Sequence, residues 1–188
     1  MIKLEKKESI YFLTMDAGEN RWNTTFVREI AKALDTIEDD EGPGALITSA
    51  TDSKFFSNGL DLDWMQAPED YPDGGDREVF GEEFMYLMGR FITLPIPTIC
   101  ALNGHTFGAG FMFALSHDFR IMREDRGFLC ANEMQLGLPI PRPELALFKH
   151  KIPANAFFET VQLSKRWTGT DALKAGIVQD VSSVEELT

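Results

Sequence analysis

Two glycine-bearing turns, each placed between an apolar strand-like run and a helix-like run, restrict the possible folds of this chain more than any other pattern. The first occupies residues 55–61 (FFSNGLD) and the second residues 103–110 (NGHTFGAG). Strand-like and helix-like runs alternate around both turns, and no internal repeat is visible. This alternation is typical of α/β layers. With 188 residues and 44% hydrophobic composition, we predict an α/β fold with a single domain over residues 1–188.

The spacing of apolar residues predicts where the elements lie. Strands are predicted at residues 2–4, 10–15, 45–48, 98–102, 119–122 and 128–131, the first two forming a hairpin. Helices are predicted after the caps Asn23 and Asp61, from about residue 80 to Pro95, over residues 109–115, after Pro153, and after the cap Thr170 until Gly176. Residues 66–76, rich in turn formers and acids, are either a solvated linker or an active-site lid.

The composition argues against several classes of protein. A formal net charge of -12 disfavours a broad basic face for nucleic acid. No apolar run is long enough to span a bilayer, and the first residues lack the apolar core of a signal peptide. Cys100 and Cys130 lie in apolar runs, which indicates buried free thiols in a reducing compartment. We expect a protein without a membrane span, in the cytoplasm or, in a eukaryote, in the peroxisome.

The glycine turns and one carboxylate suggest a reaction. Residues 108–110 follow a strand and open a helix, where the first amide N–H groups lack partners and favour negative charge. Residues 56–60 offer a similar turn, and Glu133 follows in the segment 131–137. Two N–H donors aimed at one oxygen stabilise the charge that develops when a proton is removed next to a thioester carbonyl. This combination suits enolate chemistry on a thioester.

These segments resemble those of the crotonase (enoyl-CoA hydratase/isomerase) superfamily. Residues 54–62 are similar to its first oxyanion turn, residues 97–104 with 108–110 to its second, and residues 167–178 to the segment before its C-terminal helices. The resemblance implies a spiral of ββα units, a homotrimer, an acyl-CoA substrate and no separate cofactor. It also implies that the amides of Leu60 and Ala109 form the oxyanion hole and that Glu133 is the acid/base. The family's C-terminal helices are not seen here, so we expect a truncated domain.

Met112 indicates the branch of the superfamily. Hydratases of this family use two glutamates, and Met112 occupies the position of the first of them. A thioether neither holds nor deprotonates water, so we expect isomerisation of 3-enoyl-CoA to trans-2-enoyl-CoA in fatty-acid β-oxidation, with Glu133 moving the proton from C2 to C4. The segments 114–118 and 128–138 look most like the Δ3,Δ2-enoyl-CoA isomerase branch. An apolar pocket around Glu133 should raise its pKa.

Further residues around the two turns are candidates for substrate binding. Phe56 and Trp64 either line the acyl or pantetheine channel or fill the core, and Lys54 either meets a CoA phosphate or is solvated. The full set of substrate-binding candidates is Lys54, Phe56, Ser57, Asn58, Asp61, Trp64, Gly108 and Met112.

Other functions remain as alternatives. One is a hydratase or another acyl-CoA reaction that draws its acid from Asp63 or Glu144, and another is a crotonase-like module that binds acyl-CoA or a protein without turnover. The run Ser116-His117-Asp118 has the residue types of a hydrolase triad, but adjacent residues cannot converge as a triad does. We interpret His105 as a hydrogen-bonded loop residue. Three histidines without a close ligand cluster predict no metal site.

Overall fold

A computed structural model describes residues 1–67 and 74–187 and contains two β-sheets flanked by helices. The larger sheet has six strands in the order β1-β2-β3-β5-β7-β9, and the smaller has three in the order β4-β6-β8. The strands are β1 (Ile2–Lys7), β2 (Ile10–Met15), β3 (Ala45–Ala50), β4 (Phe55–Ser57), β5 (Thr98–Leu102), β6 (His105–Phe107), β7 (Phe119–Arg123), β8 (Leu129–Cys130) and β9 (Asp180–Ser182).

The helices lie between these strands and after them. They are α1 (Thr24–Glu38), α2 (Leu62–Gln66), α3 (Phe80–Thr93), α4 (Ala109–Ser116), α5 (Glu133–Leu136), α6 (Arg142–Lys151), α7 (Ala154–Val161), α8 (Gly169–Lys174) and α9 (Val184–Leu187). None of the helices within the described ranges combines the length and apolarity needed to cross a bilayer.

The strand pairing brings the functional turns to one edge. Only β1 and β2 pair antiparallel, and every other neighbouring pair in both sheets is parallel. Strands β4, β6 and β8 are therefore parallel and end at the same edge of the smaller sheet. The residues that follow them include Leu60, Gly108 and Glu133. Three segments distant in sequence thus meet by topology alone.

The core is built around aromatic residues and a wholly apolar helix. All side chains of α4 are buried, as expected for a helix that is apolar on every face. Trp22 packs edge-on against Phe26, Phe84 and Phe113, with ring centroids 5.0 to 5.1 Å apart. These contacts join α1, α3 and α4, so the helix that follows the second glycine turn is held rigidly from several sides.

Most elements predicted from apolar spacing are present, and the caps Asn23 and Asp61 are confirmed. The Thr170 cap is wrong, because the hydroxyl of Thr168 accepts the hydrogen bond from the Asp171 amide and α8 begins at Gly169. The helices α5, α6 and α9 and the short strands β4, β6 and β9 were not predicted. The lid or linker segment falls largely on residues 68–73, which lie outside the described ranges.

Candidate active site

A cavity of about 520 Å³ opens where the strands of the smaller sheet end. Its walls come from both glycine turns, from α2, α3 and α4, and from the segment that runs from Asn132 to Glu144. The residues that line it are Arg21, Asn58, Gly59, Leu60, Leu62, Asp63, Met65, Phe80, Gly81, Phe84, Gly108, Ala109, Met112, Asn132, Glu133, Leu136, Leu138, Pro139, Pro141 and Glu144. Few polar groups converge in a largely apolar space, as in small-molecule sites generally.

The two glycine turns touch each other at the cavity. Gly59 has φ +83°, and a β-carbon there would lie 2.9 Å from the carbonyl oxygen of Phe107 and 3.8 Å from Cα of Gly108. Gly110 has a similar restriction, because a β-carbon there would lie 2.6 Å from Oγ of Ser57. Only glycine allows this approach without displacing the backbone, so the glycines bring the amides of the two turns together.

The amides of Leu60 and Ala109 are free to bind a ligand. The Trp22 amide donates to the Gly59 carbonyl at 2.8 Å and the Asp61 amide donates to the Trp22 carbonyl at 2.9 Å, which fixes the backbone on both sides of Leu60. Ala109 is the first residue of α4, where amides have no partner within the helix. Across residues 1–67 and 74–187, neither amide donates a hydrogen bond. Both are suited to an oxyanion.

Glu133 lies beside these turns as a buried carboxyl group. It is 9% exposed, and a β-carbon at Gly108 would lie 3.1 Å from its Oε1. In the described part of the chain its Oε2 is buried and has no hydrogen-bond partner. Burial raises the pKa of Glu133, the direction expected from the sequence. An unpaired, poorly solvated carboxylate is more basic than one in water.

Met112 forms part of the cavity wall. The family resemblance assigns its position to one of the two glutamates that hydratases use. Met112 is 3% exposed and belongs to the hydrophobic core. No residue of α4, the helix that carries it, has an ionisable side chain. The helix therefore supplies no group that could hold or deprotonate water beside Glu133.

Two further carboxyl groups line the cavity, and their surroundings differ. Asp63 is 77% exposed in its side chain and accepts a hydrogen bond of 2.8 Å from Arg21. Glu144 is partly buried, and burial, followed by the negative charge of Glu133, raises its pKa to about 7. Of the two acids considered from the sequence as alternatives, Glu144 is therefore the less exposed one.

Some of the predicted substrate-binding residues line the cavity and others lie outside it. Asn58, Gly108 and Met112 line it, and Asn58 Nδ2 donates to Glu19 Oε2 at 2.8 Å. Phe56 and Trp64, which were left open between channel and core, are buried, at 0% and 1% exposure, and neither lines the cavity. Their apolar surface is already covered, with Trp64 edge-on to Phe80.

The remaining candidates support the turns instead of facing the cavity. Ser57 Oγ accepts from Trp22 Nε1 at 3.0 Å and donates to the Asn20 carbonyl at 2.7 Å. Asp61 accepts a hydrogen bond from the Trp64 amide and so caps α2. Lys54 Nζ lies 4.8 Å from the centre of the Phe55 ring, at the opposite end of β4 from Leu60. None of these three residues lines the cavity.

The histidines have structural surroundings. His117 is fully buried, and burial lowers its pKa to about 3. Asp118 accepts hydrogen bonds from Thr98 and so is turned away from a triad. The loop interpretation of His105 is wrong, because this residue lies in β6 and its ring packs against Phe55, Phe107 and Phe128.

Sequence reasoning missed the apolar wall contributed by Leu136, Leu138, Pro139 and Pro141. The signal was available in the run of residues 136–141 (LGLPIP) directly after the acidic segment. Gly137 has φ +70° and ends α5, which allows the chain to turn back along the cavity before α6 begins.

Taken together, the fold and the site define a class of protein. A parallel sheet whose strand ends carry two free amides, next to a buried carboxyl group in an apolar cavity, is equipped to form and protonate an enolate. The architecture is the crotonase fold. It is similar to the crystal structure of an enoyl-CoA hydratase from Mycobacterium ulcerans, with TM-score 0.88 and 24% identity over 99% of this chain and 79% of the other.

The chain belongs to the enoyl-CoA hydratase/isomerase family, because residues 5–188 match the sequence model of that family. It is 35% identical over 185 residues to enoyl-CoA delta isomerase 2, peroxisomal, of Arabidopsis thaliana, covering 97% of this chain and 77% of the relative. It is 34% identical over 181 residues to enoyl-CoA delta isomerase 1, peroxisomal, of the same plant, covering 95% and 73%.

Proposed function

We propose that this protein is an enoyl-CoA isomerase that converts 3-enoyl-CoA to trans-2-enoyl-CoA, a step in fatty-acid β-oxidation. The observation that carries the proposal is Glu133, a buried carboxyl group placed against the glycine turns. Within the part of the chain that the structure describes, its Oε2 has no hydrogen-bond partner and the amides of Leu60 and Ala109 donate no hydrogen bond. The isomerase names of the two plant relatives support the same reaction.

The proposed mechanism uses only groups that line the cavity. The thioester oxygen accepts hydrogen bonds from the amides of Leu60 and Ala109, which stabilise the negative charge as it develops. The Glu133 carboxylate removes a proton from C2, giving a dienolate, and protonation at C4 leaves the conjugated product. The reaction is redox-neutral and needs no cofactor, because CoA is part of the substrate.

The apolar wall makes hydration a poor competitor. Met112, Leu136 and Leu138 line the cavity with apolar groups that do not orient water. A hydratase remains the second candidate because Glu144 lines the same cavity and could supply a second carboxyl group. The two functions differ in product, since a hydratase forms 3-hydroxyacyl-CoA.

The test is incubation of the purified protein with a 3-enoyl-CoA, following the ultraviolet absorbance of the conjugated thioester and the products by chromatography. Glu133→Gln should lower kcat by at least about 100-fold, the usual contribution of an acid/base group. Glu41→Gln, the same change at an exposed residue outside the cavity, should keep wild-type activity. A folded wild-type protein that binds the thioester without converting it would reject the proposal.

Two features of the proposal extend beyond the chemistry. A homotrimer follows from the resemblance to the superfamily and is measurable by light scattering. The relatives named as peroxisomal favour that compartment over the cytoplasm expected from the sequence, and microscopy of the labelled protein in cells of its source would distinguish the two.

A further inference from the structure

Glu144 is a titratable group of the cavity to which the mechanism above gives no role. It lies in the first turn of α6 and is partly buried. The helix is fixed from the core side, where Phe148 is buried and packs edge-on against Phe111 of α4 with ring centroids 5.5 Å apart. Glu144 is therefore held on a rigid element, which favours a defined position opposite the substrate.

Among the described residues, few charged groups line the cavity together with Glu144. They are Glu133 of α5, and Asp63 and Arg21 on the side of the first glycine turn. Arg21 already donates to Glu19 and Asp63, each at 2.8 Å. The neighbouring α4 has no titratable side chain, and Glu159 of α7 is paired with Lys165.

The two glutamates of the cavity influence each other's protonation. Burial raises the pKa of both groups, and the negative charge of Glu133 adds to this effect at Glu144, whose pKa rises to about 7. Leu136, Leu138, Pro139 and Pro141 line the cavity together with Glu144, so an acyl chain in this apolar part would lie near its carboxyl group. Because two negative charges in one apolar cavity repel each other, the pair favours one carboxylate and one carboxylic acid, which is the arrangement of a base and an acid.

Resting on the proposed isomerisation, we propose that Glu144 is a second catalytic carboxyl group, which donates the proton to C4 of the dienolate while Glu133 removes the proton from C2. Sequence resemblance implied a single glutamate that moves the proton between both carbons. Here each carbon has its own carboxyl group, and neither group has to travel along the acyl chain between the two steps.

The steps balance without an added reactant. The C2–H bond breaks, its proton joins a Glu133 oxygen, and its electron pair becomes part of the dienolate. The C3=C4 electrons then form a bond to the Glu144 proton, leaving the Glu144 carboxylate and a C2=C3 double bond. Before the next turnover, Glu133 releases its proton to water and Glu144 takes a proton from water.

The experiment follows the origin of the C4 hydrogen. A 3-enoyl-CoA carrying deuterium at C2 is converted in ordinary water by the wild type, Glu144→Gln, Glu144→Asp and the control Glu41→Gln. The deuterium content at C4 is measured by mass spectrometry, and kcat is measured from pH 5 to 9.

With two carboxyl groups, wild type and Glu41→Gln should place mainly solvent hydrogen at C4 and lose kcat as pH rises through about 7. Glu144→Gln should lower kcat by about 10-fold or more, transfer deuterium from C2 to C4, and lack the decline at high pH. Glu144→Asp should restore part of the solvent hydrogen at C4.

Three results would overturn the inference. In the first, Glu144→Gln matches the wild type in kcat, pH profile and deuterium transfer. In the second, kcat falls while the deuterium transfer and pH profile stay unchanged, which indicates a structural role only. In the third, the wild type fails to convert the thioester, which overturns the proposed isomerase function as well, whereas the first two leave that function standing.

Discussion

A β-carbon at Gly108 would lie 3.1 Å from Oε1 of Glu133. Gly108 has φ +48° and directly precedes Ala109, whose amide donates no hydrogen bond to any described residue. The same residue thus gives the backbone a positive φ directly before this amide and leaves room for the carboxyl group. The geometry of the oxyanion site and the position of the base therefore both depend on residue 108 having no side chain.

Replacing Gly108 by alanine should therefore damage activity more than stability. The new β-carbon displaces the Glu133 carboxyl group by a few tenths of an ångström or more, and misplacement of a reacting group on this scale lowers kcat by about 10- to 100-fold. The positive φ costs about 1 to 2 kcal/mol of stability. The isomerisation assay measures the change in kcat, and thermal unfolding measures the change in stability.

Gly18→Ala is the matched control, because Gly18 has φ +59° and nothing within 4 Å of its β-carbon position. It should lose a similar amount of stability and keep its kcat. Equal losses of kcat in both variants would contradict the proposed contact with Glu133 and point to a general effect of backbone strain.

A second prediction concerns the pH dependence of stability. Burial raises the pKa of Glu144 from 4.5 to about 7 in the folded protein, so between these values the folded state holds more protons than the unfolded state. Stability contributed by this group is therefore present below pH 4.5 and is lost as pH rises through 7. Glu144→Gln, which has no charge to bury, should be more stable than wild type at pH 8 by on the order of 2 kcal/mol.

The difference should disappear when thermal unfolding is measured at pH 4 in both proteins. Glu41→Gln, at an exposed site, serves as the control and should follow wild type at both pH values. A Glu144→Gln protein less stable than wild type at pH 8 would show that the folded state favours the charged carboxylate.

Met112 gives a third prediction, about the choice between isomerisation and hydration. Met112→Glu places a second carboxyl group in the cavity wall beside Glu133, where it can orient water. We expect 3-hydroxyacyl-CoA to form from a 2-enoyl-CoA, with a loss of about 1 to 3 kcal/mol of stability because a polar group is buried. Products are separated by chromatography, and unfolding is measured in denaturant.

Met112→Gln controls for polarity and shape without supplying a base. It should lose comparable stability and form no 3-hydroxyacyl-CoA. Hydration by both variants, or by neither, would show that a carboxyl group at this position does not decide the reaction.

The sequence predicted the elements with strong periodicity. The stripe that includes Phe26, Ile30 and Leu34 is buried as expected, because an amphipathic helix packs its apolar face against the core. The upward shift of the Glu133 pKa was also predicted correctly, because burial disfavours the charged form of a carboxyl group.

The parts that sequence reasoning missed depend on tertiary context. Strands β4 and β6 have only three residues each, too few for a periodic signal, and they pair with neighbouring strands of the smaller sheet. Phe56 and Trp64 could not be assigned to core or cavity from sequence, because an aromatic ring serves either place. Glu144 appeared only as one of two alternative acids, and burial beside Glu133 is what separates it from Asp63.

The last prediction concerns His117, whose neighbours in sequence have the residue types of a hydrolase triad. Its Nδ1–H donates to the Phe113 carbonyl at 2.9 Å, and Nε2 accepts from Thr48 Oγ1 at 2.9 Å. Both ring nitrogens are satisfied by buried partners, so the neutral ring joins α4 to β3. Thr48→Val removes the donor to Nε2 and should cost about 1 to 3 kcal/mol of stability, while kcat per folded molecule stays unchanged.

Thr51→Val is the comparison, because Thr51 is exposed and donates to Asp16 at 2.7 Å on the surface. Its stability should change by less than about 0.5 kcal/mol. Unfolding in denaturant measures the stability of each variant, and the isomerisation assay measures its kcat. A Thr48→Val protein with unchanged stability and reduced kcat would place His117 in the chemistry, whereas the reverse result identifies it as a structural link between the larger sheet and the helix that carries the Ala109 amide.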